Sequence, residues 1–125
     1  MMDLELNLAV RVTDEDIDDI MSSALDCISY WCSACEVKGG KYLGDYASEQ
    51  ISRGGTLILY EAADDGKLEL TKEKFIKGLK IYFRNHSLDV LDVLDGSLII
   101  DCGMVDGEVA DTIVQYALFG ELVYG

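Results

Sequence analysis

"TLILYEAADDGKLELTKEKFIKGLKIYFRN" (residues 56–85) carries, within thirty residues, both periodicities from which folds are built. Thr56 to Ala62 reads as a strand. Asp64-Asp65-Gly66 is a hairpin turn signal, and "KLELT" returns as the partner strand. Thr71 then caps a helix running to about Asn85. Phe75, Ile76, Leu79, Tyr82 and Phe83 form its apolar face, Lys72, Lys74, Lys77, Lys80 and Arg84 decorate the rest, and Gly78 weakens it slightly. Strand, turn, strand and helix in direct succession predict an α+β fold: a small, mainly antiparallel sheet with three or four helices packed against it.

Upstream, Leu4, Leu6, Leu8, Val10 and Val12 alternate with polar or small neighbours, the period of a half-buried strand. "TDEDIDDI" (residues 13–20) follows, with five acids in eight residues. Thr13 suits a helix cap, and Asp14, Glu15 and Asp16 suit a first turn, where negative charge offsets the positive end of the helix dipole. Ile17, Ile20, Met21, Ala24, Ile28 and Trp31 recur at helical steps, with Asp18 and Asp19 on the wet side. A short strand is expected around Cys35 to Lys38, and a loop or short helix over residues 42–55.

Downstream, "SLDVLDVLDG" (residues 87–96) sets Leu88, Leu91 and Leu94 on one stripe and Asp89, Asp92 and Asp95 beside it, which predicts a short helix ending at Gly96. "SLIIDCG" is expected as a last strand, and a final helix from Asp106 carries Val109, Ala110, Ile113, Val114, Ala117 and Leu118. The 125 residues contain no repeat or composition break, so one domain spanning 1–125 is expected. The first residues lack a basic signal-peptide region, and no apolar run reaches membrane-spanning length. A cytoplasmic protein with reduced cysteines is expected, without membrane association.

Charge is the strongest nonlocal feature. The net charge is −14, from 24 acids and 10 bases. Residues 1–36 hold nine acids and one base, residues 85–125 eight acids and no base, and residues 37–84 seven acids and nine bases. Each end is therefore −8 and the middle +2. Such a protein repels DNA, RNA and acidic membranes and attracts partners with basic grooves. If the two acidic ends pack together they form one negative face.

Catalytic chemistry finds little footing. Cys32 and Cys35 form a C-x-x-C pair near Cys27, but a zinc site needs a second pair, and only His86 and Cys102 remain. The pair follows a helix instead of opening one, against a redox role. His86, the sole histidine, stands where a helix ends and reads as a capping imidazole. Asp89, Asp92 and Asp95 have the wrong spacing for a calcium loop. Neither Gly39-Gly40 nor Gly54-Gly55 has the lysine and hydroxyl of a phosphate loop. No cofactor, metal or enzymatic activity is expected.

Four stretches, "DIMSSALDCISYWC" (19–32), "YLGDYASEQISRGGTLILYE" (42–61), "LELTKEKFIKGLKIY" (68–82) and "ADTIVQYALFGELVYG" (110–125), resemble a group of small acidic proteins encoded by phages and prophages of Firmicutes. The group usually shows Ala-Leu-Glu-Gly-Gly before its Tyr-Trp, where this chain has Ala24-Leu25-Asp26-Cys27-Ile28. The resemblance implies a phage origin and brings no catalytic residues with it. With the charge, it leads to the expectation of a noncatalytic anti-defence inhibitor, acting in the host cell. It would bind the basic nucleic-acid groove of a bacterial defence protein such as a CRISPR effector nuclease. Asp14, Glu15, Asp16, Asp18 and Asp19 would form the binding surface, with Asp89, Asp92 and Asp95 as a second patch. Two alternatives stay open. One is a binder of a nucleotide immune messenger, with Lys41, Tyr42, Tyr46 and Arg53 around its site. The other is a phage structural or assembly accessory, and self-association is compatible with the sequence.

Overall fold

The computed structural model describes residues 9–86 and 88–125. Leu4, Leu6 and Leu8 of the expected first strand lie outside them. The described part of that strand, β1 (Val10–Arg11), leads into α1 (Asp14–Cys27). A 3-10 turn (Ile28–Tyr30) then opens β2 (Cys32–Val37), which is followed by β3 (Leu57–Glu61), β4 (Lys67–Leu70) and α2 (Lys72–Asn85). The chain ends with β5 (Leu91–Leu94), β6 (Ser97–Ile100) and α3 (Gly107–Phe119). The fold is α+β, with three α-helices and two three-stranded sheets.

The caps at Thr13 and Thr71 form as the sequence predicts, and Asp106, expected only as the start of the last helix, caps it as well. Thr13 Oγ1 accepts from the Asp16 N–H at 3.1 Å, and the Asp16 carboxylate accepts from the Thr13 N–H at 2.9 Å. Thr71 Oγ1 accepts from the Lys74 N–H at 3.2 Å, and Asp106 accepts from the Val109 N–H at 2.9 Å. Each such cap contributes about 1 kcal/mol by satisfying a donor that the helix itself cannot.

One sheet has the order β2-β3-β4 and is antiparallel throughout, with Leu57 opposite Leu70 and Tyr60 opposite Lys67. The other has the order β1-β6-β5, in which β1 runs parallel to β6 and β5 antiparallel to it. Here the structure corrects the sequence reading. The stretch before Gly96 is a 3-10 turn (Leu88–Val90) and a strand, not a short helix. The deciding residues are Asp95 and Gly96, which take φ of 50° and 79°. Two consecutive left-handed residues close a two-residue hairpin, and an Asp-Gly pair adopts that conformation more readily than other pairs. The three-residue leucine spacing that imitated a helix places Leu88 in the 3-10 turn and Leu91 and Leu94 at the two ends of the strand.

The expected long first helix also stops early. Its apolar residues Ile28 and Trp31 lie beyond Cys27, both buried, because the chain turns to deliver Trp31 beneath α3. Helix α3 is the hub. It packs against both α1 and α2, and Ala110, Asp111, Ile113, Val114, Gln115 and Tyr116 are all buried. The approach to α2 is closest at Gly78, where an added Cβ would lie 2.6 Å from the Ile113 carbonyl oxygen and 2.8 Å from the Ala117 nitrogen.

That contact inverts the usual effect of an alanine in a helix. Propensity alone predicts that Gly78→Ala stabilises by about 1 kcal/mol. Collision with the α3 backbone is expected instead to cost about 1–3 kcal/mol. Urea denaturation checks it: a rise in midpoint would show that α3 yields.

Candidate functional site

Three arrangements hold the polar side chains that sequence or geometry singles out. The first surrounds Cys102, in the 3-10 turn Cys102–Met104 after β6. Its Sγ lies 3.5 Å from Asp16 Oδ1 and 4.0 Å from the Asp16 carbonyl oxygen. Burial pushes the thiol up to about 12, assisted by the negative charges of Asp16, Asp19 and Asp101. The amino-terminal helix and the carboxyl-terminal third thus meet, and they meet acid to acid. Asp19, Ser22, Ser23, Cys102 and Gly103 line a shallow open depression there. Among the described residues, neither Asp16, Asp19 nor Asp101 makes an ion pair with a base.

The acids named from sequence do not all join this group. Asp14 pairs with Lys72 Nζ at 3.2 Å, and Asp18 accepts from Ser52 Oγ at 2.5 Å. Glu15 and Asp19 are exposed. Asp92 sits on β5 and accepts from the Val93 N–H at 2.7 Å, while Asp95 forms the hairpin tip. Asp89 lies in the 3-10 turn before β5 and, with Asp106, contributes negative charge near Tyr82. The residue that carries the carboxyl-terminal charge to α1 is Asp101, at the opposite end of the β5–β6 hairpin from Asp95. Sequence reasoning counted Asp101 but gave it no role, because a helix over residues 87–96 hid the hairpin's direction.

The second arrangement is the loop with Lys41, Tyr42, Tyr46 and Arg53. Glu49 Oε1 accepts from the N–H groups of Asp45 and Tyr46, each at 3.1 Å, and Gln50 Oε1 accepts from the Leu43 N–H at 3.0 Å. Arg53 pairs with Glu49 at 3.6 Å and packs over Gly44, where a Cβ would come within 2.8 Å of its Nε. Its guanidinium therefore braces the loop. The Tyr42 and Tyr46 rings and Lys41 project into solvent.

The third arrangement escaped sequence analysis. Asp111 is 6% exposed, on a helix that lacks a wet face for it. Its carboxylate accepts from Trp31 Nε1 at 2.9 Å, from Gln115 Nε2 at 2.9 Å and from the Tyr30 hydroxyl. Gln115 in turn grips the chain beyond α3. Its Oε1 accepts from the N–H groups of Val123 and Tyr124, at 2.9 and 2.8 Å. The Tyr124 ring stacks on Trp31 at 5.3 Å and 3°, and its hydroxyl donates to Glu61. The available sequence signal was an acid and an amide four residues apart in a helix whose other residues beyond its first turn are apolar apart from Thr112.

The cysteines and His86 stay apart from this chemistry. Loss of solvent, then the neighbouring Cys32 and Glu36, pushes the Cys35 thiol up to about 11, and burial raises Cys32. Thiols shifted this way remain protonated near neutrality, opposite to what a nucleophile needs. His86 caps the end of α2, stacks on Tyr82 at 4.6 Å and shares a 2.7 Å hydrogen bond with the Tyr116 hydroxyl. No group of three or more His, Cys, Asp or Glu side chains among the described residues is placed to hold a metal ion. No helix among them is long and apolar enough to cross a membrane.

The buried carboxylate yields two expectations. Asp111→Ala strips a buried indole N–H and an amide of their acceptor and should cost about 3 kcal/mol in chemical denaturation. Around Tyr30, lost solvent and then the hydrogen bond to Asp111 push the phenol up to about 12. A folded-state value above the unfolded one, about 10, means this contribution is complete below pH 10 and lost as pH climbs towards 12. An absorbance titration should show Tyr30 ionising late in the wild type, with the delay reduced in Asp111→Asn.

Comparison with protein-family models, with curated proteins and with solved structures finds no match to this chain.

Proposed function

We propose that the chain is a noncatalytic binding protein whose acidic face occupies the cationic nucleic-acid groove of a partner. The finer reading is a phage-encoded inhibitor of a bacterial defence protein, with a CRISPR effector nuclease as the partner class. One observation carries the electrostatic part: Asp16, Asp19 and Asp101, from opposite ends of the chain, gather around Cys102 with no base paired to any of them among the described residues. Glu15 adds exposed charge on the same helix. Carboxylates on a rigid surface present negative charge to arginines and lysines that otherwise hold phosphates. The raised thiols and the engaged His86 support a noncatalytic role. The phage origin and the defence partner rest on the sequence resemblance alone.

Steering of this kind acts on the association rate and weakens with salt, because the screening length falls from about 10 Å at 0.1 M to about 3 Å at 1 M. Titration of the protein against purified effector nucleases, read as inhibited DNA cleavage, should reveal one whose inhibition fades over that range. Asp19→Lys with Asp101→Lys should slow association on the order of tenfold, with a modest fall in thermal midpoint from the lost Asp101 cap on the Gly103 N–H. Inhibition that is indifferent to both salt and charge reversal would exclude the acidic face. Failure to inhibit any effector nuclease would exclude the partner class.

A further inference from the structure

Strand β5 ends its sheet, and among the described residues no strand pairs with its outer side. In a two-residue hairpin the positions flanking the turn exchange hydrogen bonds, so Leu94 and Asp92 direct their backbone groups at β6. Val93, between them, directs its N–H and carbonyl outward. In keeping with that pattern, the Val93 N–H is held by the Asp92 side chain at 2.7 Å. A lone carboxylate therefore stoppers this outward donor.

The side chains along the edge are unusual for one left bare. Val93 is 63% exposed and Leu94 58% exposed, on opposite faces of the sheet. Long apolar edges invite pairing, and proteins blunt them with charge. Here that charge is of one sign. Asp92 and Asp95 flank the two apolar residues, and residues 85–125 contain no lysine or arginine. The nearest base in register is Arg11, which faces Ile99 from the far side of β6 while Asp92 faces it from the near side. Two strand spacings, about 10 Å, separate Arg11 from Asp92, roughly one screening length. A second copy of the chain, also at −14, is a poor occupant because its own acids would meet these.

We propose that the outer edge of β5 docks an extended segment of a partner protein in which basic and apolar residues alternate. The segment adds a strand, and its backbone takes up the outward groups of Val93. A basic side chain draws the Asp92 carboxylate off the Val93 N–H, which frees the donor for the incoming carbonyl. Val93 buries against the apolar positions, while Leu94, on the Asp92 face, packs against the alkyl stems of the basic side chains. Charge thus opens the edge to cationic strands and keeps it closed to others. The positive sign of the partner agrees with the function proposed above and rests on it in part, whereas strand pairing makes a separate claim.

The test uses the full chain, isotope-labelled, and an eight-residue peptide of alternating lysine and valine with blocked ends. Saturable amide shifts centred on Leu91–Leu94, with protection of the Val93 amide from exchange, are expected. Val93→Pro removes the outward donor without touching a bond to β6, and edge positions tolerate proline. It should weaken the peptide at least about tenfold at an unchanged far-ultraviolet spectrum. A peptide N-methylated on its pairing edge should lose binding similarly, which keeps the test decisive if the proline variant unfolds. A glutamate–valine peptide should not bind. No saturable shift at about 1 mM peptide, equal binding of the N-methylated peptide, or shifts confined to α1 would overturn the docking strand. The last two would leave the acidic-face reading standing. Strand pairing at β5 in a protein that inhibits no effector nuclease would overturn that reading alone.

Discussion

A single buried carboxylate, that of Asp111, organises three parts of the chain that are distant in sequence. Among the described residues no cation pairs with it. Three neutral donors hold it: the Tyr30 hydroxyl, the Trp31 indole and the Gln115 amide. A buried charge is tolerated only when its lone pairs are filled, so each donor is held in place by the cost of leaving the others alone. Trp31 also accepts, through its carbonyl, from the Ala62 N–H at 2.7 Å, which fastens the end of β3 to the same point. Gln115 extends the network to Val123 and Tyr124. The passage from α1 into β2, the inner face of α3 and the segment after it are therefore one polar unit inside an apolar shell.

The same helix explains the rest of the packing. Because α3 is buried on most of its circumference, its neighbours must reach its backbone closely. Gly78 permits this on the α2 side. On the α1 side, Gly107 leaves room for the Cys27 side chain, which a Cβ at that position would strike. Glycine in the middle of α2 costs propensity, and the interhelical contact returns more than that cost.

What the sequence revealed follows from how local each signal is. Both strands of the β3–β4 hairpin, the caps at Thr13 and Thr71, and the helix α2 are set by residues within a few positions of one another, and all were legible. The β5 strand was not, because leucines and aspartates three apart satisfy a helical stripe, and only the Asp95-Gly96 pair marks the turn. The fate of Ile28 and Trp31 was hidden for another reason: the helix stops at Cys27 to meet α3, a partner eighty residues away. Of the site, the excess of acids at both ends was legible as a charge count, but not that Asp101, and not the named Asp89, Asp92 or Asp95, stands with Asp16 and Asp19. Nor was the division among the acids legible. Only coordinates separate Asp14, tied to Lys72, and Asp18, tied to Ser52, from Glu15 and Asp19, which face water.

That division bears on whether the acidity is more than a means of staying dissolved. Solubility is served by a net charge of about 2–8 on a small domain, and further like charge destabilises the compact state by self-repulsion. This chain carries −14. Some of its acids repay their repulsion locally: Asp16 and Asp106 cap helices, Asp111 anchors the core, and Glu49 holds the loop before β3. Glu15 and Asp19 have no base paired with them among the described residues, and Asp92 spends its carboxylate on closing an edge. Their repulsion is a standing cost to the isolated chain. On the proposed reading, a cationic partner surface brought against them turns that cost into attraction.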